Sequence, residues 1–314
     1  MIKQIKKNRK IVNWSKYNKS LVMRGSLEIW IDKDTLDIWH TKPTGKRGAQ
    51  EIYSDEAIEM VLIAGKIYHQ RLRQTEGFVR SAFKLMGLQL EIPDYSTLSR
   101  RGKTLKVQLK ILKKEKVIMI MDSTGLKVFG EGEWKVRRHG YSKHRTWMKL
   151  HIGIDKDGEI RAVKLTGNNV TDADAGLELI DQEKARIVSL VGDGGYDRMK
   201  IYEKCEEREI EDVKVPPQKN ARIKIHGNSK LKHKRDENLR AIRKSTRKNW
   251  KKKVGYHVRS LVETAMYRTK VTFGDHLNAH NDSNQKTEVE IMCKILNVMK
   301  DLGMPKYEIG QATI

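Results

Sequence analysis

Apolar residues recur at helical spacing in the first third of the chain. From Tyr53 the pattern predicts a helix with Ser54 as its N-cap. Its apolar stripe consists of Ile58, Val61, Leu62 and Ile67. A second helix is predicted over 72–86, with Gly87 as its C-terminal stop. Its inward face is predicted to carry Phe78, Ala82, Phe83 and Leu85. Residues 1–45 show no sustained period and are predicted to be irregular.

After residue 116 the pattern changes to short apolar runs and alternation, which are typical of strands. Strands are predicted over 117–121, 147–154, 160–165, 187–191 and 213–215. Helices are predicted over 175–184, after a capping sequence at 171–174, and over 198–208. Three consecutive strands followed by alternating helices and strands predict an α/β fold with a mixed sheet flanked by helices. That is the element order of a ribonuclease-H-like domain.

A short basic helix is predicted to start at Pro93-Asp94. It carries Ser96, Ser99, Arg100 and Arg101. Together with the helix before it, this segment resembles a helix-turn-helix, but many helical bundles share that pattern. Two interpretations stay open at this point: the helix reads DNA, or it only packs against its neighbours.

The number and distribution of charged residues indicate more about function than the overall composition does. The 314 residues include 64 Lys and Arg against 40 Asp and Glu, a formal net charge of +24. Such an excess is typical of proteins that bind a polyanion, most often nucleic acid. Residues 218–253, here called the basic segment, hold fifteen basic and two acidic residues. The segment is either a solvated linker or a part-folded element that contacts DNA, and its interspersed apolar residues favour the second interpretation.

Several classes of protein are excluded by simple counts. The longest apolar run, at 117–121, is far shorter than the roughly 20 residues of a membrane-spanning helix, so no membrane partner is expected. No apolar stretch follows the basic residues 1–10, so a secretory signal is not expected. Cys205 and Cys293 are too few for a disulfide framework or a Cys-rich zinc site. A reduced, cytosolic compartment fits these features best.

Two aspartates stand where predicted strands end. Asp122 is predicted to close the first strand and precedes Ser123-Thr124-Gly125, and Asp193 closes the fourth within a Gly-rich sequence. Because the ends of adjacent strands open onto a common sheet edge, the two carboxylates are expected to lie close together. Ordinary turn chemistry is the alternative for each. Five competing acids fit turns or caps better: Asp155, Asp157, Asp172, Asp174 and Asp197.

A third acid, Glu263, lies among polar residues at helical spacing. Tyr256, Arg259, Glu263 and Lys270 fall within an arc of roughly 60° on one helix face, at about 100° per residue. The opposite side carries the apolar residues Val258, Leu261, Val262 and Ala265. This pattern predicts a helix with a buried back and a polar stripe. The alternative is a solvent-facing ladder of salt bridges, since Arg259 and Glu263 stand four residues apart.

Three carboxylates near a phosphodiester suit phosphoryl transfer on DNA. Mg²⁺ prefers oxygen ligands and keeps several waters. Two such ions about 4 Å apart activate an attacking water or 3′-hydroxyl and stabilise the leaving oxygen. The sequence shows no Ser/His/Asp triad, zinc-ligand spacing or P-loop.

The residues at 256–270 match the pattern Tyr-x2-Arg-x3-Glu-x6-Lys at every specified position. This pattern is that of a transposase superfamily, and the chain resembles the DDE transposases of the insertion-sequence-five group of bacterial insertion elements. The resemblance covers residues 53–306. It includes the segments 72–78, 93–101, 121–127, 132–137 and 192–197, with Leu296-Asn297 and Leu302-Gly303.

The resemblance implies roles for individual residues. Asp122, Asp193 and Glu263 are implied to be catalytic ligands of two Mg²⁺ ions, with Asp122 bridging both and Mn²⁺ able to substitute. Tyr256, Arg259 and Lys270 are implied to contact phosphates at the element end. Further candidate DNA contacts are Arg100, Arg101, Arg137, Arg138, Lys143 and Arg145.

The resemblance also implies a domain order and an activity. An irregular segment (1–45) is followed by a helical DNA-binding domain (46–115) for the terminal inverted repeats, and by a ribonuclease-H-like catalytic domain (116–310) that contains the basic segment. The implied activity is cleavage at element ends and strand transfer of 3′-hydroxyls into target DNA, by a homodimer on DNA, in the bacterial cytoplasm in association with the nucleoid.

Three alternatives to this activity stay open. A related nuclease would hydrolyse DNA without strand transfer, and a domesticated protein would bind DNA without catalysis. An RNA-binding or ribosome-associated protein would account for the charge but gives no reason for acids at strand ends.

Overall fold

A computed structural model describes residues 8–42, 45, 47–48, 50–128, 147–223 and 234–310. The chain divides into two compact units. One comprises the residues up to Tyr95 together with those from Ile295 onward, and the other is Ser96–Lys294. The sequence-based domains 1–45, 46–115 and 116–310 stay predictions.

The first unit is mainly helical. Its helices are α1 (Trp14–Met23), α2 (Leu27–Trp30), α3 (Lys33–Asp37), α4 (Asp55–Ile67) and α5 (Leu72–Leu85). Strands β1 (Asn8–Ile11) and β7 (Tyr307–Gly310) form an antiparallel pair. The segment that was predicted to be irregular therefore contains β1 and three helices. Helices α2 and α3, of four and five residues, are too short to show an apolar period, and the buried residue of α1 is the polar Ser20, so α1 has no apolar stripe. Side-chain contacts such as the bond from Trp30 Nε1 to the Arg24 carbonyl, 2.8 Å, help to fix this segment.

Helices α4 and α5 follow the sequence prediction closely. The Ser54 side chain accepts a hydrogen bond from the backbone N–H of Ala57 and caps α4 as predicted. Gly87, with φ of 73°, lies just beyond the end of α5. Leu85 was predicted to face inward, which is wrong: its side chain is 88% exposed. Phe83 is buried, and a residue two positions further on points to the opposite side of a helix.

The second unit is built on one mixed sheet. Its strands are β2 (Lys116–Lys127), β3 (Trp147–Ile154), β4 (Ile160–Thr166), β5 (Arg186–Val191) and β6 (Asp212–Lys214). Their spatial order is β4-β3-β2-β5-β6, with β2–β3 and β3–β4 antiparallel and β2–β5 and β5–β6 parallel. The helices from Tyr95 onward are α6 (Tyr95–Arg101), α7 (Asp172–Gln182), α8 (Met199–Glu207), α9 (Lys234–Lys244), α10 (Arg247–Lys253), α11 (Ser260–Phe273) and α12 (Asp282–Leu302), whose residues from Ile295 onward belong to the first unit. A mixed sheet with flanking helices in this order confirms the predicted ribonuclease-H-like fold.

The two faces of β2 meet different helices. Successive side chains of a strand point to opposite faces of its sheet. Met119 and Met121 pack in one cluster with Leu179 of α7 and Tyr202 of α8. Helix α11 also packs against β2. Asp122 is out of phase with Met121, so it points away from the α7 and α8 cluster.

The basic segment is folded where the structure describes it. It contains α9 and α10, each of which buries an apolar residue, Leu239 and Trp250 respectively. This agrees with the part-folded interpretation that the interspersed apolar residues favoured. Residues 224–233 lie outside the described residues.

Among the described residues, none of the helices combines the length and the apolar character that crossing a membrane requires. Cys205 and Cys293 are both buried, without a disulfide bond. Burial raises the pKa of the Cys205 thiol to about 12. A buried thiol of this kind contributes to packing rather than to reactivity.

Candidate active site

Asp122 lies inside a strand rather than at its end. Strand β2 continues to Lys127, and Asp122 pairs with Ile152 of β3. The prediction that Asp122 closes the strand is therefore wrong, because β3 supplies backbone partners along this whole stretch. Pairing on the other side, with β5, stops at Ile120. Asp122 lies just past that point, beside the end of β5.

Asp193 lies beyond the end of β5, as predicted. It is the N-cap of a 3-10 turn over Gly194–Tyr196, and its Oδ1 accepts a hydrogen bond from the Gly195 N–H at 2.8 Å. The turn-chemistry interpretation is thus correct for this oxygen. Among the described residues the second oxygen, Oδ2, has no such partner.

Glu263 and Arg259 bring the third acid to the first. Arg259 Nη1 donates a hydrogen bond to Asp122 Oδ2 at 2.6 Å, and its Nη2 donates to Glu263 Oε1. One guanidinium group thus holds carboxylates from β2 and α11. The predicted pair of Arg259 with Glu263 does form, but it faces Asp122 rather than being an isolated surface ladder.

Tyr256 lies outside the α-helix that was predicted to contain it. Residues Tyr256–Arg259 form a 3-10 turn, and α11 begins only at Ser260. The preceding Gly255 has φ of 68°, a left-handed conformation that an α-helix does not continue through. Tyr256 is buried, and its hydroxyl donates to the carbonyl of Gly192 at 3.1 Å. Gly192 directly precedes Asp193, so this bond ties the turn before α11 to the end of β5.

The three acids share one electrostatic environment. Burial raises the pKa of Asp122, and the charges of Asp193 and Glu263 raise it further, while the Ser123 N–H and Arg259 oppose the shift. The pKa of Tyr256 is raised to about 12, chiefly by burial and then by Asp193, Asp122 and Glu263, against Arg259. Asp122 and Asp193 each lie two residues beyond the paired Ile120 and Val191 of the parallel strands β2 and β5, and Arg259 links Asp122 to Glu263, so the three predicted acids lie at one edge of the sheet.

The donor set fits a hard divalent cation, but the acids do not surround a common point. Carboxylate oxygens are the ligands that Mg²⁺ prefers. Among the described residues, no three His, Cys, Asp or Glu side chains are arranged to hold a metal ion. The Arg259 guanidinium occupies the position between Asp122 and Glu263. In this structure Arg259 therefore offsets the negative charges of Asp122 and Glu263.

Two family models, both described as a transposase DDE domain, match the chain. One match covers residues 22–131 and the other residues 113–298. The second spans more than half of the 314 residues. The chain belongs to the DDE transposases. It is therefore a DNA-processing enzyme with DNA as its substrate, and DDE transposases generally use divalent metal ions.

The other residues of this transposase that are predicted to contact DNA differ in their solvent exposure. Lys270 is partly exposed in the last turn of α11, seven residues beyond Glu263. Arg100 is exposed on α6, whereas Arg101 is buried, so in this conformation Arg101 is not available to DNA. The candidates in the segment 129–146, which also includes the matched segment 132–137, lie outside the described residues: Arg137, Arg138, Lys143 and Arg145.

Sequence reasoning missed an acid that lies beside this site. Asp172 was interpreted as part of a helix cap, but its side chain contacts Ser123, the neighbour of Asp122. Asp197, also assigned to a turn, is buried and forms a two-point ion pair with Arg235 of the basic segment. Neither role has a local sequence signal, because the partners come from distant parts of the chain.

Proposed function

We propose that this transposase cleaves DNA at the ends of an insertion element, in a Mg²⁺-dependent reaction, and joins the freed 3′-hydroxyls to target DNA. The observation that carries the proposal is the set of bonds made by Tyr256 and Arg259 of the Tyr-Arg-Glu-Lys pattern. Arg259 binds Asp122 and Glu263, and Tyr256 binds the residue before Asp193. The residues that the pattern specifies thus connect the acids that the chemistry needs.

In this proposal each residue has a stated task. Asp122, Asp193 and Glu263 would hold the metal ions, which lower the pKa of the attacking hydroxyl and stabilise the leaving oxygen. Arg259 would exchange its bonds to Asp122 and Glu263 for phosphate oxygens when metal binds, and together with Lys270 it would place the scissile strand. Tyr256 keeps its hydroxyl bonded to Gly192 and positions the Asp193 turn. That task differs from the direct phosphate contact that the resemblance implies for Tyr256.

The DNA surface and the assembly belong to the same proposal. The helices of 46–115, with Arg100, would bind the terminal inverted repeats, and the basic segment would bind the adjacent backbone. Two ends must be cut in concert, so a homodimer on DNA is the expected assembly. The narrower assignment to the insertion-sequence-five group rests on the sequence resemblance.

A strand-transfer assay tests the proposal most directly. The substrate is a duplex with a pre-cleaved element end, taken from the DNA that flanks the coding region. With Mg²⁺ we expect joined products, and with excess EDTA none. A nuclease would give only shortened strands, and a non-catalytic protein would shift the DNA in a gel without either product. Either of those results would overturn the proposal.

The basic segment gives a second test, based on salt dependence. Lys248, Lys252 and Lys253 are exposed on α10. If each contacts a phosphate, replacing all three by Ala lowers the slope of log affinity against log salt by up to about 2.7, at about 0.9 per contact. Fluorescence anisotropy with end DNA at several salt concentrations measures this slope.

A matched control removes three exposed lysines elsewhere in the same unit. Lys113, Lys156 and Lys184 lie before β2, in the β3–β4 turn and after α7. We expect their replacement by Ala to leave the slope unchanged. Equal slopes for the two triple variants would show that α10 does not contact the DNA backbone.

A further inference from the structure

Asp172 is not needed for the cap to which its sequence context assigned it. The N-cap of α7 is Thr171, whose hydroxyl oxygen accepts a hydrogen bond from the Asp174 N–H at 3.2 Å. The Asp174 carboxylate binds Thr171 and Lys200. The cap of α7 therefore does not use the Asp172 side chain, which is available for other contacts.

One oxygen of Asp172 is held firmly by the sheet. Its Oδ1 accepts a hydrogen bond from Ser123 Oγ at 3.0 Å and lies 3.4 Å from Lys149 Nζ. His151 Nδ1 lies 3.7 Å from the same oxygen. Ser123 and His151 are cross-strand partners in β2 and β3, so the anchoring groups form one patch. Anchoring of this kind is typical of carboxylates that ligate a metal, because neighbouring hydrogen bonds fix their orientation.

The other oxygen of Asp172 faces Asp193. A Cβ atom built on Gly195 would lie 2.9 Å from Asp172 Oδ2 and 2.9 Å from Asp193 Oδ1. The two oxygens are therefore at most 5.8 Å apart, with the bare face of a glycine between them. Two carboxylates this close repel each other, and Lys149, which pairs with Asp172 Oδ1, offsets one of the two charges; a cation between the carboxylates would offset the other. The Asp172 side chain is 24% exposed, so solvent and ions can reach it.

Two buried polar atoms beside these acids have no partner among the described residues. They are His151 Nδ1 and the Tyr196 hydroxyl, on side chains that are 0% and 1% exposed. His151 Nδ1 lies 3.7 Å from Asp172 Oδ1. Burial, and then the charges of Asp172, Asp122 and Asp193, raise the pKa of the Tyr196 hydroxyl. Buried polar groups almost always have hydrogen-bond partners. The waters that Mg²⁺ keeps in protein sites are suitable partners for such groups.

We propose that Asp172 is a fourth carboxylate of the active site, which together with Asp193 binds a divalent cation. This inference rests on the proposed function, because it concerns the same acids. It assigns Asp193 a partner on the α7 side of the sheet, whereas Asp122 and Glu263 are linked on the α11 side. Two carboxylates with water completing the shell are a usual set for Mg²⁺.

The test is the affinity of the full chain for Mn²⁺, without DNA, measured by electron paramagnetic resonance. Asp172→Asn keeps an oxygen for Ser123 and Lys149 but removes the charge. We expect its Mn²⁺ affinity to fall about tenfold or more. Asp174→Asn, two residues further along α7, is the matched control and should bind Mn²⁺ as the wild type does.

A second variant keeps both charges. Gly195 has no left-handed φ, so Ala is compatible with its backbone, but its methyl group would force the two carboxylates apart. Gly195→Ala is therefore expected to weaken Mn²⁺ binding to a similar extent. Thermal unfolding without metal, followed by circular dichroism, checks that both variants fold. If Asp172→Asn folds and binds Mn²⁺ with the wild-type affinity, the inference is overturned. If Asp172→Asn does not fold, wild-type Mn²⁺ affinity in Gly195→Ala overturns it.

Failure of this inference is distinct from failure of the proposed function. If strand transfer needs Mg²⁺ but Asp172→Asn binds Mn²⁺ normally, Asp172 is not a ligand and the transposition chemistry stands. If Asp172→Asn weakens Mn²⁺ binding but pre-cleaved ends are never joined, the cation site stands and the proposed reaction fails.

Discussion

Glu263→Gln is expected to lower the rate constant of DNA-end cleavage about 10³-fold, a loss of about 4 kcal/mol at the transition state. The amide has the length of the carboxylate and still offers Arg259 an oxygen, but it lacks the negative charge that a hard cation requires. Single-turnover cleavage of end DNA in Mg²⁺ measures the effect. DNA affinity should stay near the wild-type value, because backbone contacts supply most of it.

Glu207→Gln is a matched control for this prediction. Glu207 lies on α8, is mostly exposed and pairs only with Lys204 among the contacts described for it. Its replacement should leave the cleavage rate unchanged. A folded Glu263→Gln enzyme that cleaves at the wild-type rate would remove Glu263 from the reaction and with it the central assignment of the site.

The largest effect on stability is expected from Arg161→Met, which should lower the free energy of unfolding by about 3–5 kcal/mol. Arg161 is buried and binds two buried carboxylates, Glu159 at 2.8 Å and Glu183 through two nitrogens. Its removal takes the positive charge and the hydrogen bonds of Arg161 away from both buried acids. Urea denaturation followed by circular dichroism measures the change.

Lys164→Met serves as the comparison for Arg161. Lys164 is in the same strand, β4, but its ion pair with Glu178 is partly exposed to solvent, with side chains that are 29% and 54% exposed. Exposed pairs of this kind contribute about 0–1 kcal/mol. If the two variants were equally stable, the buried cluster would have no special weight in this fold.

The secondary structure of the second unit was predictable because its signals are local. The predicted strand 147–154 coincides with β3, and Thr171 caps α7 as its sequence context indicated. The end of β2 was not predictable from the run 117–121 alone. Whether Asp122 ends a strand depends on pairing with β3, which lies some thirty residues further along the chain.

The candidate site was predictable only in part, for a similar reason. Spacing identified Arg259 and Glu263 as neighbours, and the structure adds that Asp122 is the group they face. Spacing also placed Tyr256 on the polar stripe, whereas the left-handed Gly255 starts a tighter turn that buries it. Asp172 was missed because its contacts come from two strands that the local sequence does not reveal.

The ion pair between Arg235 and Asp197 bears on how the enzyme can be re-engineered. Asp193 begins the 3-10 turn and Asp197 ends it, while Gln218 and Arg235, from the start of the basic segment and from α9, both bind Asp197. The basic segment therefore cannot be removed without breaking these contacts to Asp197. A shortened transposase that lacked it would leave the buried Asp197 carboxylate without Arg235, one turn from Asp193, the proposed metal ligand, so shortening of the protein has to begin elsewhere.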